Sequence, residues 1–125
     1  MTERVKLSPG PTHPITCVRN PRRVVVTFDG APIADTRNAI TLNEASYPAV
    51  QYIPREDVDM RTLQRSTHTT YCPYKGDASY FHLSSPEAIS ENAVWSYEAP
   101  YDTVAAIKDR LAFYPDRVEI SERDD

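Results

Sequence analysis

Apolar and polar residues alternate with a period of two in several short runs, each bounded by turn residues, and this pattern predicts strands. Arg23 to Phe28 carries Val24, Val26 and Phe28 on one side, and Asp29-Gly30 supplies the positive-φ pair of a tight hairpin. Ala31 to Thr36 is then the return strand. Ala39 to Asn43 and Ala49 to Ile53 read as two more strands around a turn at Glu44 to Pro48, and Pro54 ends the second. Arg55 to Arg65 follows with Glu56 and Asp57 placed where a helix dipole favours anions, which predicts a short helix. Ala78 to Leu83 and Ala93 to Glu98 alternate again, with Tyr80 and His82 on one face and Trp95 and Tyr97 on one face. Asp102 or Thr103 caps a second short helix running through Lys108, with Val104 and Ile107 inward. Leu111 to Tyr114 and Arg117 to Ser121, split by Pro115-Asp116, read as a final hairpin. About eight strands and two short helices predict a mainly β fold of curved, mostly antiparallel sheets.

Pro9, Gly10, Pro11 and Pro14 resist both helix and ladder, so residues 1–14 are expected to form an extended arm. Residues 15–120 form a single β-rich domain, and the charged 121–125 is expected to fray as a tail. At 125 residues with 40% apolar content, the chain has room for one modest core and no second domain. Lys and Arg total 14 against 18 Asp and Glu, with no basic block, which argues against a nucleic-acid partner. No run approaches the roughly 20 apolar residues of a membrane span, and no signal-peptide stretch opens the chain. A cytoplasmic location is the expectation. Exposed strand edges leave a homodimer open.

Cys17 and Cys72 are the two cysteines, and without a secretory signal a disulfide between them is not expected. No close cysteine pair is present to seed a zinc site, so neither a structural zinc nor a cofactor is expected. Three glycines in the whole chain leave no phosphate loop, dinucleotide fingerprint or nucleophile elbow.

The densest chemistry lies in Thr69 to Tyr80, which gathers a thiol, an ammonium, hydroxyls and aromatic rings around Pro73 and Gly76. Gly76 can adopt φ > 0 and turn consecutive N–H groups inward as an anion nest, with Lys75 adding charge. Lys75 close to Cys72 would favour its thiolate. The same segment also reads as a plain Pro-Gly turn with Cys72 as a small buried hydrophobe. Thr70, Tyr80, Trp95 and Tyr97 supply amphipathic walls for a pocket, or core filling. Tyr52 and Arg55 stand where a strand ends, and Arg55 either grips a carboxylate or phosphate or pairs with Glu44, Glu56 or Asp57. His68 lies four residues before Cys72 and serves as its base only if the chain bends, because four strand residues span about 13 Å.

Tyr52 to Val58, the run Cys72-Pro73-Tyr74-Lys75-Gly76-Asp77-Ala78-Ser79-Tyr80, and Trp95 to Pro100 resemble the motifs of the family called domain of unknown function 427. The resemblance extends from His13-Pro14-Ile15 through Arg23-Val24 and Glu44-Ala45 to Ala112-Phe113-Tyr114-Pro115, in the family's order. It implies a small β domain of the β-tent kind, similar in layout to zinc-containing sulfoxide reductases but without their paired metal cysteines. It implies no activity. Some family labels say nucleotidyltransferase, a chemistry that needs carboxylates around Mg²⁺ and a Gly-Ser phosphate loop, and the chain shows neither pattern.

Two functions follow. In the first, the 69–80 loop and Tyr52, Tyr80, Trp95 and Tyr97 enclose a small anionic metabolite, with Arg55 and Lys75 as counter-charges. In the second, Cys72 is an enzyme's nucleophile or redox centre, activated by Lys75 and His68. Nucleotidyl transfer is a third reading.

Overall fold

The computed structural model describes residues 4–125, so the first three positions of the expected arm lie outside the described residues. Ten strands run in chain order: β1 (Ile15–Arg19), β2 (Arg23–Phe28), β3 (Ala31–Thr36), β4 (Ile40–Glu44), β5 (Val50–Tyr52), β6 (Leu63–Cys72), β7 (Gly76–Ser84), β8 (Ile89–Ser96), β9 (Ala112–Phe113) and β10 (Glu119–Arg123). They form three antiparallel sheets, ordered β1-β4-β5, β10-β2-β3 and β6-β7-β8-β9, and the fold is mainly β. No helix is long and apolar enough to cross a membrane among the described residues.

The four-stranded sheet is apolar on both faces, and strand alternation explains how one sheet serves two cores. Tyr80 pairs with Trp95 and Trp95 with Ala112, which places these three on one face. Phe81 pairs with Val94 and Val94 with Phe113 on the other. The Phe81 face packs with Val24, Val26, Phe28 and Ile33 from the β2–β3 hairpin into the first core cluster. The Tyr80 face packs with Leu42 and Tyr52 from β4 and β5 into the second, joined by Val104 and Ile107. Tyr52 and Ile53 are consecutive and point to different clusters. The Ile53–Leu111 bridge, with both N–H···O bonds at 2.8 Å, ties that crossing to the segment before β9.

The β2–β3 hairpin turns at Asp29 (φ 51°) and Gly30 (φ 80°), the paired positive-φ turn that Asp-Gly favours. The two expected short helices are replaced by 3-10 turns. Residues 55–65 hold only Arg55–Asp57 and Met60–Thr62, after which β6 begins at Leu63. Pro54 and the acidic first turn start a helical turn, but Val58 is extended and pairs with Ala34. In Asp102–Ile107 a non-helical Val104 (φ −126°, ψ 29°) interrupts the turn so that both Val104 and Ile107 are buried. The expected closing hairpin is also absent: β9 pairs with β8, and β10 pairs with β2. The tail is therefore held in a sheet as far as Arg123.

The arm beyond residue 3 lies along the β6–β7 hairpin. Leu7 N–H donates to the Pro73 carbonyl at 2.9 Å, Tyr71 Oη donates to the Val5 carbonyl at 2.6 Å, and Arg4 pairs with Asp77.

Gly76 opens β7 at φ 108°, and a Cβ there would lie 3.4 Å from the Ala99 carbonyl oxygen and 3.7 Å from Pro100 Cα. Gly76→Ala is expected to lower unfolding free energy by about 1 to 2 kcal/mol, from the strain of a side chain at this positive φ, since the added Cβ itself would sit at ordinary contact distance from the 99–101 backbone. Chemical denaturation of the two proteins measures this, and equal stability would contradict the strain assigned to φ 108°.

Candidate functional site

Strand alternation brings Ile40, Leu42 and Glu44 to one side of β4, with Leu42 and Glu44 lining a cavity of about 210 Å³. Val50 and Tyr52 come to it from β5, Tyr80 from β7, Trp95 from β8 and Tyr97 from just beyond. Tyr47 and Pro48 stand on its rim side from the β4–β5 turn, and Tyr114 from the segment after β9. Trp95 Nε1 donates to Tyr52 Oη at 3.2 Å, and the two rings meet edge-on with centroids 6.3 Å apart.

Lys75 supplies the cation. It sits at the end of the β6–β7 turn, where its N–H donates to the Cys72 carbonyl at 3.2 Å and its carbonyl accepts from Tyr101 N–H at 3.1 Å. These bonds turn the side chain inward, and the residue is only 9% exposed. Its ammonium donates to Glu44 Oε1, while the second carboxylate oxygen, Oε2, lies 2.7 Å from His13 Nε2. His13 is delivered by local chain geometry. The Gly10–His13 turn closes on itself, and Ala45 N–H donates to the Pro14 carbonyl at 2.8 Å. Tyr74 then stacks on the His13 ring, 3.9 Å between centroids and 5° from parallel.

Burial pushes the Glu44 carboxyl up, but hydrogen bonds from Lys75 and His13 and their charges outweigh it, leaving the group below the usual carboxylate value. Burial raises the Tyr52 and Tyr97 phenols well above the ordinary range. The Cys17 thiol is raised by burial and opposed by the Lys75 charge.

Of the residues singled out by sequence, Lys75, Tyr52, Tyr80, Trp95 and Tyr97 converge on this cavity. Thr70 is placed behind it, with Oγ1 3.0 Å from Tyr80 Oη. Lys75 N–H serves the turn by donating to the Cys72 carbonyl, and Gly76 backs onto the 99–101 backbone. Cys72 ends β6, half-buried against the second core cluster, and is not in the cavity wall. The ammonium expected beside its thiol meets Glu44 instead. His68 lies in the bulged, exposed middle of β6 and packs on the Tyr80 ring at 4.6 Å. Arg55 is not a counter-charge of this cavity. Its Nε donates to the Asp109 carbonyl at 2.6 Å, and its Nη2 to Ser96 Oγ at 3.1 Å and Glu98 Oε2 at 3.0 Å. Glu44 and His13, which complete the site, escape composition and periodicity; only the motif positions His13-Pro14-Ile15 and Glu44-Ala45 pointed to them. Among the described residues, no group of three or more His, Cys, Asp or Glu side chains is arranged to hold a metal ion.

Glu98 also receives both Nη atoms of Arg65, at 2.9 and 2.8 Å. The Arg65 hydrogen bonds are the largest influence, and with help from Ser79 and Arg55 they overcome burial to bring the carboxyl down to about 2 from 4.5. A depressed folded-state pKa means stability that is complete above the unfolded value and is lost as pH falls from 4.5 toward 2. Allowing for solvent screening, this amounts to about 1 to 2 kcal/mol. Glu98→Gln is expected to flatten the acid limb of a stability-versus-pH curve across that window, and an unchanged limb would contradict the pairing.

No curated protein matches the chain. The family model described as domain of unknown function (DUF427) matches residues 16–124, which takes in both halves of the Lys75–Glu44 pair and every wall of the cavity. The chain belongs to the domain of unknown function 427 family.

Proposed function

We propose that this protein binds a small aromatic acid in the tyrosine- and tryptophan-walled cavity, with the ligand's anionic group on Lys75. The observation that carries the reading is the buried Lys75 ammonium at the wall of an aromatic cavity. An ammonium has three donors. Glu44 takes one of them, and no second acceptor is found among the described residues. The remaining donors suit an oxyanion, and charge-assisted hydrogen bonds in a site this sheltered are stronger than neutral ones. Flat rings suit the other walls, where Tyr52, Trp95 and Tyr97 offer edges and faces. At about 210 Å³ the cavity falls below the roughly 300 to 1,000 Å³ of drug-sized sites, which favours a small metabolite. We read the three open sheets that frame it as an arrangement of the β-tent kind.

Trp95 is the only tryptophan, so its fluorescence reports on the cavity wall without labelling. Titration with a panel of small aryl carboxylates is expected to change that emission saturably. The binding member should stabilise the fold by about 2.7 kcal/mol at a hundred times its Kd. Lys75→Met should weaken binding at least about tenfold and cost about 1 to 3 kcal/mol of stability by taking away one of the two partners of the Glu44 carboxylate. If no carboxylate in the panel alters Trp95 emission or the melting temperature, the proposal fails.

A further inference from the structure

A third ionisable group reaches the Lys75–Glu44 pair from the N-terminal arm. His13 Nε2 lies 2.7 Å from Glu44 Oε2, the oxygen that Lys75 does not take. The His13 side chain is 23% exposed, against 13% for Glu44 and 11% for Lys75. Solvent protons therefore reach the imidazole, while the charge it gains acts on a pair that water screens less.

The ring is fixed in this place. The Gly10–His13 bridge and the bond from Ala45 N–H to the Pro14 carbonyl hold the backbone on either side. Tyr74, from the β6–β7 turn, stacks on one face at 3.9 Å, and Tyr47, from the β4–β5 turn, meets the ring at 62° with centroids 6.5 Å apart. The titratable groups against the imidazole are thus Glu44, Tyr47 and Tyr74, with Lys75 across Glu44 from it. The two tyrosines bring rings and hydroxyls, and the charged groups are Glu44 and Lys75. Burial pushes the Glu44 carboxyl up, but the Lys75 and His13 bonds hold it below the usual value, so it stays ionised through the neutral range. With His13 neutral, the charges of Glu44 and Lys75 cancel. With His13 protonated, the three residues together carry one positive charge. The chain's other two histidines are placed differently: His68 packs on the Tyr80 ring, and His82 Nδ1 accepts from Asn92 N–H.

We infer that His13 makes this site proton-regulated: its protonation frees Lys75 from part of the Glu44 charge, so that anion binding tightens as pH falls through the range in which histidines titrate. This rests on the reading of the cavity as an aryl-acid site and adds its regulation. His13 acts through Glu44 and is a positioning residue. By linkage, a bound anion makes His13 hold its proton more firmly, so binding takes up protons.

The test follows benzoate and phenylacetate, with benzamide and phenylacetamide as neutral counterparts, by Trp95 fluorescence and calorimetry on the full chain. Measurements at about pH 8 and about pH 5.5 bracket histidine titration and leave both acids ionised. A carboxylate is expected to bind about fivefold tighter at the lower pH, and its amide to show no such gain. His13→Gln keeps a donor for Glu44 that does not titrate, and should bring the ratio of the two affinities from about five to about one. His68→Gln should keep the ratio. Calorimetry in buffers of different ionisation enthalpy should show proton uptake on binding to the unaltered protein and none with His13→Gln. Carboxylate binding that Lys75→Met weakens, with equal affinity at the two pH values and no proton uptake, overturns the His13 inference and leaves the cavity's reading standing. A gain that survives His13→Gln, or that the amides share, overturns it as well. If neither these nor any other aryl carboxylate of the panel binds at either pH, both readings fall.

Discussion

A lysine held at 9% exposure is tolerable only with a carboxylate against its ammonium, and the Lys75–Glu44 contact meets that demand. The two residues come from different sheets. Glu44 ends β4, and Lys75 precedes β7, so their bond joins the three-stranded β1-β4-β5 sheet to the four-stranded one at the rim of the second core cluster. That junction fixes where the cavity opens. It also recruits the N-terminal arm, because the carboxylate's second oxygen takes His13, and His13 in turn stacks on Tyr74 of the same turn that presents Lys75.

The division of the β6-β7-β8-β9 sheet into two working faces explains why this junction can be dedicated to a site. Phe81, Leu83, Val94 and Phe113 close an apolar cluster with the β2–β3 hairpin and carry the apolar burial a small domain needs. The opposite face is free to hold larger amphipathic rings whose polar tips need partners. Trp95 finds Tyr52, and Tyr80 finds Thr70 and Tyr114. A cavity survives there because tyrosine and tryptophan rings pinned by their polar ends fill space less completely than branched aliphatic residues.

Elements set by local chemistry were legible in the sequence. The Asp29-Gly30 turn, the alternation in β2, β4, β7 and β8, and the shared face of Tyr80 with the cavity all follow from neighbours a few positions apart. What failed was set by distance or by the lack of an amphipathic signal. The β6 strand is Leu63 to Cys72, mostly polar and exposed, and no period of two marks it. β10 pairs with β2 across the length of the domain, so its sequence neighbour, β9, was the wrong partner. The site divides in the same way. Lys75 stood out because its own loop is chemically dense. Glu44 lies 31 positions before it, and His13 a further 31 before Glu44, and no local rule relates positions so far apart.

The protonation states around Lys75 decide what the cavity presents to a ligand. Glu44 directs one oxygen at Lys75 and the other at His13, so both oxygens of this cavity-lining carboxylate are engaged. The Tyr52 and Tyr97 phenols are pushed up by burial and stay neutral, which keeps them from adding negative charge beside Lys75. The walls then contribute hydroxyl dipoles and ring edges beside the Lys75–Glu44 ion pair, both of whose members line the cavity. On the proposed reading, an anion with a flat apolar body meets the uncommitted Lys75 donors at one end and ring faces at the other, whereas a cation would face Lys75 with Glu44 already engaged.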